Sequence, residues 1–213
     1  MTFASGASRA AVLLCVAAGC SPAATQSIQL SSELTGDDVT LTWEGQRGDV
    51  VVEFATEVDG RYTVLDFLPR SRHRYLHPDL MPATTFYYRV RPIEGPASDA
   101  VSAVPATDRV EGEDWLVPRT VPDPLAAPSP GGTPSNLRVD SVGADARRLM
   151  WTDNSTDEAG FLIEREAGGE FEVAFVVDPD VNYAGLTGET SDTFRVRAFH
   201  YGEMSNVVSE LTP

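Results

Sequence analysis

The sequence predicts an all-β protein made of two sandwiches, each of seven short strands in two sheets, joined by a proline-rich connector. Three observations lead there. Short runs alternate apolar and polar residues with a period of two, and Gly, Pro, Asn or Asp separates them. No apolar 3.6-residue period is long enough for a helix. The pattern also occurs twice. Val39-Thr40-Leu41-Thr42-Trp43 is followed by Tyr88-Arg89-Val90-Arg91, and Leu149-Met150-Trp151 by Phe194-Arg195-Val196-Arg197 at nearly the same distance. Between and after these marks, Gly60-Arg61-Tyr62-Thr63-Val64 corresponds to Gly169-Glu170-Phe171-Glu172-Val173, and Ser98-Asp99-Ala100-Val101-Ser102 to Ser205-Asn206-Val207-Val208-Ser209.

Residues 1–19 read as an export signal. Arg9 is their only charge, Ala10 to Ala18 form an apolar core too short to span a bilayer, and Ala17-Ala18-Gly19 are small enough for a peptidase to hold extended. Cys20 follows directly, and its thiol is the nucleophile that can carry a diacylglyceryl group. The segment resembles the bacterial lipoprotein signal, with Ala17 where that pattern usually has Leu. The resemblance implies lipidation at Cys20, a tether over 20–26 and attachment to a membrane of the cell envelope, since two or three acyl chains at roughly 0.8 kcal/mol per methylene hold a protein there.

Cleavage before Cys20 leaves no second cysteine, so each sandwich is expected to stand by packing rather than by a disulfide. The formal charge of -16 comes from 32 acids against 16 bases, and every base is arginine. An acidic, lysine-free chain argues against nucleic acid as a partner, which needs a clustered basic face.

The first copy occupies 27–105, with strands expected near 28–32, 38–43, 50–57, 62–68, 73–76, 85–92 and 98–104. The connector, 106–134, is acidic around Glu111 to Trp115 and then rich in proline, which favours an extended, semi-stiff spacer. The second copy occupies 135–213, with strands near 136–141, 146–152, 160–167, 170–177, 181–184, 192–199 and 205–211. Trp43 and Trp151, each in an alternating strand, are expected to fill the space between the sheets.

The run from Trp151 through Asp153-Asn154-Ser155-Thr156-Asp157-Glu158-Ala159-Gly160 to Arg165 is similar to the second-to-third strand segment of bacterial fibronectin type III domains, and Ser205 to Ser209 to their last strand. The first copy is similar through Leu80-Met81-Pro82-Ala83-Thr84-Thr85-Phe86-Tyr87-Tyr88, with Phe86 where the family carries a tyrosine corner. Leu186, Gly188, Thr190 and Asp192 stand at the matching places of the second copy, without that proline and tyrosine. The resemblance implies immunoglobulin-like sandwiches and a non-catalytic role.

Other candidate chemistry reads as structural. Arg47-Gly48-Asp49 is an integrin-type tripeptide without wider context, in a turn before the third strand. Asp153, Asn154, Asp157 and Glu158 lack the spacing of a calcium loop. His73 and His77 read as surface histidines on or near a strand, and His200 is isolated, so no metal site is expected. No nucleophile elbow or phosphate-cradling loop is present, and the chain is expected not to be an enzyme and to need no cofactor.

The expected function is display of two fibronectin type III modules on an envelope lipoprotein for protein binding or assembly. The alternatives are a structural spacer in an envelope complex and a polysaccharide-binding accessory module, for which Tyr201 and Trp115 are the available aromatics.

Overall fold

The structure, a computed structural model, describes residues 27–103, 127–141, 146–187 and 192–213. They form fourteen strands and no helix: β1 (Gln29–Thr35), β2 (Asp38–Glu44), β3 (Val50–Ala55), β4 (Thr63–Leu68), β5 (Arg74–His77), β6 (Thr85–Glu94), β7 (Val101–Ala103), β8 (Ser135–Ser141), β9 (Ala146–Thr152), β10 (Gly160–Ala167), β11 (Glu170–Val177), β12 (Tyr183–Thr187), β13 (Asp192–Tyr201) and β14 (Val208–Leu211). Each lies at or within a few residues of a run expected from alternation. The export segment, Cys20 and most of the connector, Trp115 included, lie outside the described residues.

Each sandwich packs a three-stranded sheet on a four-stranded one. In the first, β1-β2-β5 faces β4-β3-β6-β14; in the second, β8-β9-β12 faces β11-β10-β13-β7. The closing strands are therefore exchanged. The run expected to complete the first copy, near 98–104, instead lies on β13, with Val101 opposite Phe194, Ser102 opposite Thr193 and Ala103 opposite Asp192. The run expected to complete the second copy lies on β6, from Val208 opposite Tyr88 to Leu211 opposite Thr85.

The hinge chemistry explains the crossing. Pro96 lacks an N–H and holds φ near -65°, and the residue before a proline is pushed away from helical turns, so Gly95-Pro96-Ala97 runs on rather than folding back. Gly95 takes φ 125°, and a Cβ there would meet the Ala198 carbonyl oxygen at 2.0 Å, so the crossing demands glycine. Ala97 then bridges to Arg197, while Ile93 and Glu94 pair with Tyr201 and His200, so that β6 and β13 join the two four-stranded sheets into one.

The cores follow the alternation. Trp43, Leu41, Val50, Val52, Phe86 and Tyr88 are buried in the first sandwich, and Trp151, Leu149, Phe161, Ile163 and Val196 in the second. Both indoles are between sheets as expected. Trp43 Nε1 donates to Gln46 Oε1, and Gln46 Nε2 donates in turn to the carbonyls of Arg70 and Arg72. Among the described residues Trp151 Nε1 has no hydrogen-bond partner, and the indole is held by its buried area and by the Phe161 ring 5.4 Å away.

At the first copy's corner, Phe86 is buried and contributes no hydroxyl. Thr212 from the exchanged segment supplies one instead: its Oγ1 donates to Met81 O at 2.6 Å and accepts from Thr84 N at 3.1 Å. In the second copy Gly188 and Thr190 lie outside the described residues, Leu186 belongs to β12 and Asp192 opens β13.

Candidate functional site

The most built surface of the molecule is the junction between the sandwiches. Its origin is visible in two strands that do not alternate. Val50-Val51-Val52 and Phe161-Leu162-Ile163 are buried at every position, which requires cover on both faces of the sheet. Val50, Val52, Phe161 and Ile163 point into their own sandwich, whereas Val51 and Leu162 meet Ile93 and Phe199 in a third apolar cluster, with Phe67, Val173 and Tyr201 around it. Phe67 of the first sandwich meets Phe199 of the second edge to face, with ring centroids 5.9 Å apart. Burying side chains of this size contributes about 1.5–3 kcal/mol each.

Charge is arranged on the same face and repeats between the copies. Glu53 on β3 lies opposite Arg89 on β6, which donates to it at 2.6 Å and stacks its guanidinium 3.9 Å above the Tyr62 ring. Glu164 on β10 lies opposite Arg195 on β13, which donates to it and stacks 4.1 Å above Phe171. Glu164, only 1% exposed, takes a second arginine: Arg197 Nε donates to it at 2.9 Å. Arg197 also reaches Asp49 at 3.4 Å and the Gly95 carbonyl at 3.2 Å, both in the first half of the chain. Ser71 donates to Glu170 across the same boundary at 2.8 Å.

This arrangement decides several of the candidate residues on geometry. Asp49 of the Arg47-Gly48-Asp49 tripeptide accepts from the Arg70 amide and pairs with Arg197, so its carboxylate is engaged inside the molecule. Tyr201 is the last residue of β13 rather than a loop platform. Arg91 lies 4.2 Å above its ring and Phe199 packs against it at 89°, so one face of the ring is taken by the guanidinium. Burial, with the Glu53 carboxylate nearby, holds the Tyr201 hydroxyl above its ordinary pKa.

The Asp153 to Glu158 segment is a tied loop. Asp153 accepts from the Ser155 amide, Asp157 from the Gly131 amide and the Ser155 hydroxyl, and Asn154 donates to Thr133 O and Ser135 Oγ. His200 is not isolated, since its Nε2 stands 3.4 Å from Asp157. Among the described residues no group of three or more His, Cys, Asp or Glu is placed to hold a metal.

His77 departs from the surface reading. Its ring is half-buried between Phe54, Phe86 and Tyr88, and its Nδ1 lies 3.1 Å from the Tyr88 hydroxyl. His73 is exposed. Burial lowers the His77 pKa below its ordinary value. The unfolded chain then takes up the proton first, so below about pH 6.5 the unfolded state binds more protons and stability falls with pH until the folded pKa is passed. Urea midpoints at pH 7.5 and 5.5 are expected to differ more for the wild type than for His77→Phe. Equal differences would show that this ring carries no pH dependence.

Comparison with solved structures returns a two-domain fibronectin type III segment of chicken tenascin, at 12% identity and a TM-score of 0.27, covering 87% of this chain and 96% of that one. The first three fibronectin-type domains of chicken CNTN1 are returned at 15% identity and a TM-score of 0.27, covering 86% of this chain and 66% of that one. No family model matches the chain, and no curated protein matches it. Three strands facing four in each half, with all pairings antiparallel, place the chain among tandem immunoglobulin-like sandwiches, the architecture that fibronectin type III domains share.

Proposed function

We propose that this chain is a lipid-anchored protein of the cell envelope whose two sandwiches act as one rigid, non-catalytic module for protein binding or assembly. The observation that carries the module is the double crossing of the chain through the junction, which joins the two sandwiches through one continuous sheet and a shared apolar cluster. Supporting a non-catalytic role, the buried acids Glu53 and Glu164 are engaged by arginines inside that junction. The anchor rests on Cys20 and the short apolar run before it.

Cys20→Ser is expected to move the protein from the membrane to the soluble fraction, and intact-mass spectrometry of the wild type is expected to show a diacylated N-terminal cysteine. An unmodified N-terminus removes the anchor from this proposal. Partners are sought by carboxylate-directed cross-linking, because the chain has no lysine.

A further inference from the structure

The two closing segments are chemically interchangeable. Ser98 donates its amide to Val196 O at 2.8 Å and its hydroxyl oxygen accepts from Val196 N at 3.1 Å. Ser205 does the same to Val90, at 2.8 and 2.9 Å. Val90 and Val196 occupy the same place in the two copies, as do Ser98 and Ser205, and Val101 and Val208 each add to the core of the sandwich they enter. Each sandwich thus presents one receptor edge, and each closing segment carries one matching plug.

The hinges are extended and hydrogen-bonded instead of turned back. Gly202 N donates to Pro92 O at 2.9 Å and Ala198 N to Pro96 O at 3.2 Å, on either side of the β6–β13 pairing. An extended hinge delivers its strand away from its own copy, and nothing in the receptor distinguishes a plug from the same chain from an identical plug of another. A reciprocal dimer keeps every strand pairing of the monomer, so assembly opposes only the entropy of association and the effective concentration of the linked plug.

We propose that the closing strands pass between molecules as well as within one, so that a second copy of this chain is a ligand of the β6 and β13 edges that β14 and β7 cover within one molecule. Its Ser98 to Ala103 segment enters the second sandwich, and its segment 205–213 enters the first, each in the register described above. The inference stands on the strand exchange alone and is independent of the lipid anchor.

Ser102 and Thr193 allow a direct test, since they are opposite one another with side-chain oxygens 3.5 Å apart. In full chains with Cys15 and Cys20 replaced by serine, Ser102→Cys/Thr193→Cys is expected to oxidise within one molecule at low concentration. Failure to do so overturns the exchange itself. A Ser102→Cys chain refolded together with a Thr193→Cys chain at high concentration is expected to give a disulfide-linked heterodimer. Its share is expected to rise at least several-fold over a tenfold increase in protein concentration. Ser102→Cys refolded with Val58→Cys, an exposed position outside the junction, measures collisional linkage. A Ser102/Thr193 yield equal to that control overturns the passage of strands between molecules.

Discussion

Removal of residues 205–213 is expected to unfold the first sandwich and leave the second standing. The segment contributes the β14 ladder from Val208 to Leu211, the Ser205 bonds to Val90, and two bonds between Asn206 and the backbone of Leu30, at 2.8 and 2.9 Å. It also carries the Thr212 hydroxyl that ties the corner at Met81 and Thr84. At about 1 kcal/mol per hydrogen bond the loss is several kcal/mol before any exposure of the core. Total stabilities of about 5–15 kcal/mol leave little margin for that.

Hydrogen exchange localises the outcome. Amides of β2, β3 and β6 are expected to lose protection while those of β9, β10 and β13 keep theirs, because β7 still closes the second sandwich. Two self-closed copies would give the reverse pattern, with loss confined to the second. That result would refute the exchanged topology.

Glu164→Ala is expected to cost about 3–5 kcal/mol, the range for removing one partner of a buried ion pair. The cost arises because Arg195 and Arg197, both only partly exposed, remain on the same face with no carboxylate between them. Glu53→Ala should cost less, since among the described residues Glu53 pairs with one arginine, Arg89, where Glu164 pairs with two. Chemical denaturation of both variants measures the order. A Glu164→Ala variant within about 1 kcal/mol of wild type would mean that water reaches the two guanidinium groups freely. Arg197 also holds Asp49, so the same substitution is expected to loosen the junction, read as increased exchange at Ile93 and Phe199.

The two indoles, the paired glycine turns and the alternation in β1, β2, β11 and β13 were legible because each records a local event, one face buried and one wet. The junction left a local trace too. The unbroken runs Val50 to Val52 and Phe161 to Ile163 announce strands covered on both faces. Neither run names what covers it, and so the pairing of Val51 with Phe199 and Leu162 was not legible. His77 misled for a related reason: its surroundings, Phe54, Phe86 and Tyr88, come from two other strands.

The chain alone therefore determined its class, its duplication and the place of nearly every strand, since period and turn chemistry act over a few residues. Which receptor each closing strand enters was decided only in three dimensions. Ser98 and Ser205 make the same bonds to equivalent valines, so local chemistry is nearly indifferent between self-closure and exchange. The choice falls to the hinge at Gly95-Pro96 and to the Phe67, Phe199 and Arg197 contacts that form only when the two sheets meet.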